Sequence, residues 1–151
     1  MGGCMEEIIS KDSLLYSRLL ITRAKHVLVK ARQKELSPYR ISPEQAYILF
    51  ILHNRSEKAT LAEIARDCER GISTVCTQLS KMENDGLVEK TRETPKSNLL
   101  SFKLTDKGAE IQNKSNKMRV EKAIMSVLTE EERKQLISSL NKIINKAKKY
   151  S

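Results

Sequence analysis

Apolar residues recur at helical spacing through the first part of the chain. Between about Lys11 and Glu35, Leu14, Leu15, Leu19, Ala24, Val27, Leu28 and Ala31 fall largely at three- and four-residue intervals. Arg18, Arg23, Lys25, Lys30 and Arg32 lie largely between them, which predicts one amphipathic helix. Pro38, in ELSPYRIS, disfavours a helical residue before it and ends that helix. A second helix opens at Ser42, with Pro43 as its first residue and Gln45 placed for reciprocal capping. Its body, AYILFIL, is apolar nearly all round and predicts central burial, and His53-Asn54-Arg55-Ser56 closes it.

Two shorter helices follow. Thr60 and Glu63 form a Thr-x-x-Glu capping box, with Ile64, Ala65 and Cys68 facing inward behind it. Glu69-Arg70-Gly71 supplies a turn, in which Gly71 is expected to take a backbone conformation other residues avoid. The next helix puts Ile72, Val75, Cys76, Leu79 and Met82 on one face and Ser73, Thr74, Thr77, Gln78 and Lys81 on the other. Asp85-Gly86 ends it with a glycine cap. The pattern then becomes two short strands, GLVEKTRE and LLSFKLT, around the polar hairpin TPKSN, with Leu87, Val88, Leu100, Phe102 and Leu104 as their apolar positions.

Thr105 or Asp106 caps a long fifth helix expected to reach about Leu128, its middle solvated because large apolar residues are few there. Thr129 and Glu132 form a third box and begin the last helix, where Leu136, Ile137, Leu140, Ile143 and Ile144 make a narrow apolar stripe. The stripe is too narrow for a core helix and too regular to be left in water, so it asks for a second copy of the chain. The fold class expected is mostly α with a small antiparallel β-wing: a winged helix-turn-helix flanked by long N- and C-terminal helices. Residues 1–10 read as a flexible tail, 11–36 and 106–151 as a helical dimerisation region, and 42–105 as the winged helix-turn-helix, within one structural domain overall.

Composition narrows the partners. The chain has 151 residues, about one domain, and 28 Lys plus Arg against 19 Asp plus Glu, a formal charge of +9. That excess suits a polyanion, though it also suits an acidic protein or a membrane surface. Aromatics are 4% and Trp is absent, so stacking platforms for single strands are few and duplex DNA fits better. No apolar run approaches the roughly 20 residues of a membrane span. MGGCMEEIISK lacks a basic and an apolar signal region, so the chain reads as cytoplasmic. Cys4, Cys68 and Cys76 have no metal-ligand spacing, and Cys68 and Cys76 occupy apolar helix positions that predict core packing. With two histidines, no glycine-rich phosphate loop and no nucleophile elbow, neither an enzyme, a cofactor nor a metal site is expected.

The polar face of the fourth helix carries the candidate chemistry. A helix fits the major groove, where base pairs present distinguishable donors and acceptors. Gln78 can pair bidentately with adenine, Ser73, Thr74 and Thr77 can reach bases, thymine methyls or phosphates, and Lys81 suits guanine or phosphate. A solvated face is the plainer reading of a polar stripe. Against it, four of these five residues are uncharged, whereas other exposed faces of the chain are dense in Lys and Glu. In the hairpin, Lys96, Arg92 at the base and Lys103 on the return strand can follow the backbone or enter the minor groove; the alternative is an ordinary polar turn.

The order of these elements, together with EIARDC, STVCTQLSKMENDGLVEKTR and LTDKG, resembles the MarR-type (multiple antibiotic resistance repressor) winged-helix regulators over residues 12 to 148. The resemblance implies a sequence-specific transcription factor: a homodimeric repressor of double-stranded DNA, binding a palindromic inverted repeat. It implies a dimer built from the first, fifth and sixth helices, so that Leu14 and Leu15 join the stripe of the last helix. Family wings usually carry an Asp and an Arg near the tip, where this chain has Lys96 and Asn98. Arg70 occupies a turn position that is normally apolar, which frees it for a phosphate. Family members often bind a small aromatic ligand between the dimer helices and the winged helix, and Tyr16, His26, Tyr39, Tyr47 and Phe50 are the residues here for such a cleft. Others sense oxidants through a cysteine near the first helix, for which Cys4 is the candidate. The competing reading is a winged-helix module that binds DNA without sequence readout, or binds another protein. Salt separates them, since non-specific binding is nearly all phosphate charge.

Overall fold

The computed structural model describes residues 13–55 and 58–151. Helix α1 (Ser13–Leu36) leads through a short 3-10 turn (Ser37–Tyr39) into α2 (Pro43–Arg55), a two-residue strand β1 (Ala59–Thr60), α3 (Leu61–Asp67) and α4 (Ile72–Asn84). Strands β2 (Val88–Arg92) and β3 (Leu100–Leu104) come next, then α5 (Asp106–Ser115), α6 (Arg119–Met125) and α7 (Glu130–Ala147). Of the described residues, those up to Met118 gather into one compact unit and 119–151 into another.

The first unit is organised on α2. Its start is capped reciprocally, the Ser42 amide donating to Gln45 Oε1 at 3.0 Å and the Gln45 amide to Ser42 Oγ at 3.1 Å. Ala46, Ile48, Leu49, Ile51 and Leu52 are buried, but the helix is not buried all round. Tyr47 and Phe50 remain 49% and 42% exposed, their rings stacked 6.4 Å apart on its outer flank. Around the buried face pack Leu36, Ile41, Ile64, Val75, Leu79, Met82, Leu87, Val88 and Phe102. Each large side chain so buried contributes about 1.5–3 kcal/mol. Cys68 packs against this core as expected, whereas Cys76 is exposed and Ile72 is 55% exposed. Val75, Leu79 and Met82, at i, i+4 and i+7, already span the buried arc of α4, and Cys76 falls outside it.

The sheet has three antiparallel strands in the order β1-β3-β2, one more than the hairpin alone predicts. Ala59 pairs with Phe102, while Val88 faces Leu104 across the wing. Two residues are too few for a strand period to show in sequence. Arg32, expected among the solvent-facing cations of α1, instead has a side chain only 12% exposed. Its Nη1 pairs with Glu35 at 2.6 Å, and its Nη2 donates to the Ser115 carbonyl at 3.0 Å, satisfying an orphan carbonyl at the end of α5.

The long fifth helix is broken. It stops at Ser115, Asn116 caps it, and Met118 adopts a left-handed backbone (φ 46°) before α6 resumes at Arg119. Asparagine and serine, here Asn113, Ser115 and Asn116, are residue types that compete with helical hydrogen bonds, and the Ser115 hydroxyl donates to the Gln112 carbonyl at 3.2 Å. In the second unit α7 opens on the expected box, the Thr129 amide donating to Glu132 Oε2 at 2.8 Å and the Glu132 amide to Thr129 Oγ1 at 3.2 Å. In its stripe Leu136, Ile137, Ile143 and Ile144 are exposed and Leu140 is half-buried. Among the described residues no helix is long and apolar enough to cross a membrane.

Candidate nucleic-acid interface

Helix α3 leads through a tight turn into α4. Its capping box is complete, with the Glu63 amide donating to Thr60 Oγ1 at 3.2 Å and the Thr60 amide to Glu63 Oε2 at 2.8 Å. The chain then reverses through two bonds, from the Glu69 amide to the Arg66 carbonyl and from the Arg70 amide to the Ala65 carbonyl, each 3.0 Å. That paired closure needs a left-handed residue just past the cap, and Glu69 takes it (φ 50°). The expectation for Gly71 was therefore misplaced. Gly71 is extended (φ −62°, ψ 143°) and a Cβ added there would meet nothing within 4 Å. At the far end of α4 the same closure recurs on Gly86 (φ 73°), as the sequence indicated.

The opening of α4 suits an anion. No side chain caps it and no acidic residue occupies its first turn, so no side chain of that turn offsets the positive end of the helix dipole. Ser73, Thr74, Thr77 and Lys81 are exposed and Gln78 is half-buried, opposite the buried Val75, Leu79 and Met82. The Thr77 hydroxyl donates to the Ser73 carbonyl at 3.0 Å. Its proton is thereby committed within the helix, leaving an acceptor lone pair and a methyl for whatever lies opposite. Arg70 projects from the turn and is exposed.

In the wing, register sets the charge. Glu89 lies opposite Lys103 and the two pair at 2.6 Å; Lys90 reaches Glu83 and Lys58 reaches Glu93, both at 3.5 Å. Such exposed pairs add little stability, but the Glu89 pair offsets Lys103, a cation that sequence alone credits to the wing. Arg92 and Lys96 have no acidic partner among the described residues, and both are exposed, as is Asn98. Sequence reasoning missed Glu83, Glu89 and Glu93 as partners; the Glu89–Lys103 pairing follows once the hairpin register is known.

A cleft of about 220 Å³ opens within the first unit. Val29 of α1, Tyr47 and Ile48 of α2, Arg70 of the turn, and Thr74 and Gln78 of α4 are among its walls. Of the aromatic residues named for an effector cleft, Tyr47 lines it and Phe50 stacks on Tyr47. Tyr39 packs against the core, His26 is exposed along α1, and Tyr16 lies half-buried in the first turns of that helix. Burial pushes the Cys68 thiol up, away from the reactive thiolate. Cys4 lies outside the described residues. Among the described residues no three His, Cys, Asp or Glu side chains gather as metal ligands.

These features define a winged helix-turn-helix, and residues 41–108 match the winged helix DNA-binding domain family. The organohalide-sensing transcriptional regulator RdhR, solved with 2,4-dichlorophenol bound, shares 30% identity and a TM-score of 0.80, over 87% of this chain and 78% of its own. MepR of S. aureus in complex with DNA has a TM-score of 0.79 at 22% identity, over 85% of this chain and 96% of its own. A mutant MarR of E. coli bound to operator DNA has a TM-score of 0.76 at 21% identity, covering 94% and 99%. The last two likenesses show the shared fold. No curated protein matches the chain in sequence. The chain belongs to the MarR family of winged-helix, DNA-binding transcriptional regulators, and so is not an enzyme.

Proposed function

We propose that this regulator is a cytoplasmic homodimeric repressor that reads an inverted repeat with α4 and is released by a small aromatic ligand. The observation that carries the reading is the face of α4: exposed, hydrogen-bonding side chains behind an uncapped helix start. Gln78, Thr77 and Thr74 supply major-groove readout, while Ser73, Lys81 and Arg70 serve bases or phosphates. Arg92 and Lys96 hold the backbone beside the wing. Asn98 lacks the charge that draws a side chain into a narrow minor groove.

Dimerisation is supported by the apolar side chains that each unit leaves open. Leu14, Leu15, Leu19 and Leu20 are 81%, 42%, 41% and 43% exposed on α1, and Ile137, Ile143 and Ile144 are exposed on α7. Apolar surface on this scale marks an interface, and a two-fold partner would set two recognition helices about 34 Å apart on DNA. Ligand release is supported by the cleft, whose apolar walls Val29 and Ile48 and polar groups Arg70 and Gln78 suit a single ring bearing an acceptor. The dichlorophenol in RdhR has that chemistry.

Fluorescence anisotropy with the DNA upstream of the protein's own gene, at about 50 and 200 mM salt and with scrambled competitor, tests the reading. Nanomolar binding that survives competitor at the higher salt supports it. Binding erased by competitor would favour a module that coats DNA through phosphate charge or binds another protein.

A further inference from the structure

Helix α3 has seven residues, too few to hold its own conformation or direction without help from its surroundings. Its last residue is Asp67, an acid at the negative end of a helix, where the dipole disfavours it. The compensation comes from Arg55, the last residue of α2. Its Nε and Nη2 both donate to Asp67 Oδ2, at 2.8 and 2.5 Å. Its Nη1 lies 3.7 Å from Glu63 Oε1, whose other oxygen closes the capping box on Thr60. The Asp67 carbonyl also lies 3.5 Å from the Tyr47 hydroxyl, again of α2. One guanidinium thus ties the end of α2 to both ends of α3. Arg66 approaches Asp67 Oδ1 at 3.7 Å, but its side chain is 71% exposed against 31% for Arg55. Directly after Asp67 come Cys68 and the Glu69-Arg70 turn that launches α4.

We infer that Arg55, through Asp67, is a positioning residue for sequence recognition: it fixes the angle at which α3 presents α4 to the groove. The inference rests on the reading that α4 contacts bases. A hydrogen bond to a base edge fails when its atoms separate by much more than about 3.2 Å, so a small tilt of α4 forfeits it. Phosphate attraction acts over a screening length of about 8–10 Å and hardly registers the same tilt. Loss of the Arg55–Asp67 pair therefore weakens specific binding and spares non-specific binding.

The test uses the full chain and, as probe, the duplex that the wild-type protein enriches from a randomised pool, beside a duplex of random sequence. Asp67→Asn decides between two forces, because it raises the net charge by one. Simple electrostatics makes this variant bind DNA more tightly; positioning makes it bind the enriched duplex more weakly. Asp67→Asn and Arg55→Ala are each expected to lose about tenfold or more on the enriched duplex and less than about twofold on random duplex. The double variant is expected to lose no more than the worse single one, as coupled residues do. Circular dichroism at the assay temperature checks that each is folded, and Asp67→Asn carries the test if Arg55→Ala does not fold. Unchanged or tighter binding by Asp67→Asn, equal losses on both duplexes, or losses that multiply in the double variant would overturn the inference alone. A wild-type protein that enriches no sequence would remove base readout by α4, and this inference with it.

Discussion

Replacing Gly108 by Ala tests how the wing is joined to the helix behind it. Gly108 is the third residue of α5, and its amide donates to Thr105 Oγ1 at 3.0 Å. A Cβ added there would lie 2.0 Å from the Leu87 carbonyl oxygen and 3.0 Å from its carbon. These are backbone atoms and cannot rotate aside. Leu87 is also anchored: its amide donates to the Met82 carbonyl at 2.9 Å and its own carbonyl accepts from the Thr105 amide at 3.2 Å. Thr105 Oγ1 adds a 2.6 Å bond to the Gly86 carbonyl. Overpacking costs about 1–3 kcal/mol, and losing the Thr105–Leu87 bond about another 1. Alanine recovers about 1 kcal/mol of helix propensity over glycine, so the net loss is about 2 kcal/mol. For a chain of this length that lowers Tm by about 4–8 °C. Thermal melts of both proteins by circular dichroism, at one shared concentration because dimerisation would add to stability, measure it. A Tm equal to or above wild type, as helix propensity alone predicts, would refute the close approach.

Four further outcomes follow from the same geometry. Gln78→Ala should cost about 1–3 kcal/mol on the specific duplex and little on random DNA; equal losses on both would mean that the α4 face positions without reading. Lys96→Ala should flatten the log–log salt slope by about 0.9, whereas Lys103→Ala, its cation already paired with Glu89, should change it far less; equal effects would discredit the pairing. Ile137→Asp with Ile144→Asp should shift the protein to monomer in analytical ultracentrifugation, and an unchanged mass would remove the α7 stripe from the interface. Backbone and hydroxyl bonds from Thr60 hold the Glu63 carboxyl below the usual carboxylate range. A lowered folded pKa stabilises the protein above the ordinary Glu value, and that contribution is lost as pH falls through the folded value. Glu63→Gln should therefore show a shallower fall in Tm on acidification, and parallel curves would contradict the assignment.

Much of the fold was legible because its signals are local. A capping box needs only residues i and i+3, so Ser42–Gln45, Thr60–Glu63 and Thr129–Glu132 could be read directly, and each forms in the structure. The glycine closure after α4 and the candidate reading face of α4 were legible for the same reason, since 3.6-residue periodicity separates Val75, Leu79 and Met82 from Ser73, Thr77 and Lys81. The errors lie where two nearby choices were locally equivalent. Either Glu69 or Gly71 could have closed the turn, and only the bonds from α3 select Glu69. The break at Met118 escaped notice because capping and apolar spacing on either side were compatible with one helix.

Sequence by itself determined the two wing strands, the order of the helices up to α5, the caps and the polar face of α4, because each depends on residues within one turn or one hairpin; the short strand β1 and the break between α5 and α6 were not legible there. Tertiary structure decided the rest. It withdrew Arg32 from solvent to hold the end of α5, neutralised Lys103 with Glu89 across the wing, and required glycine at position 108 so that a helix could lie against the Leu87 carbonyl. It also joined Arg55 to Asp67, twelve residues apart, and so coupled α2 to α3 ahead of the turn into α4. Such contacts depend on the angle and depth at which elements meet. No periodicity encodes that, because it arises only when the whole core closes and excludes water.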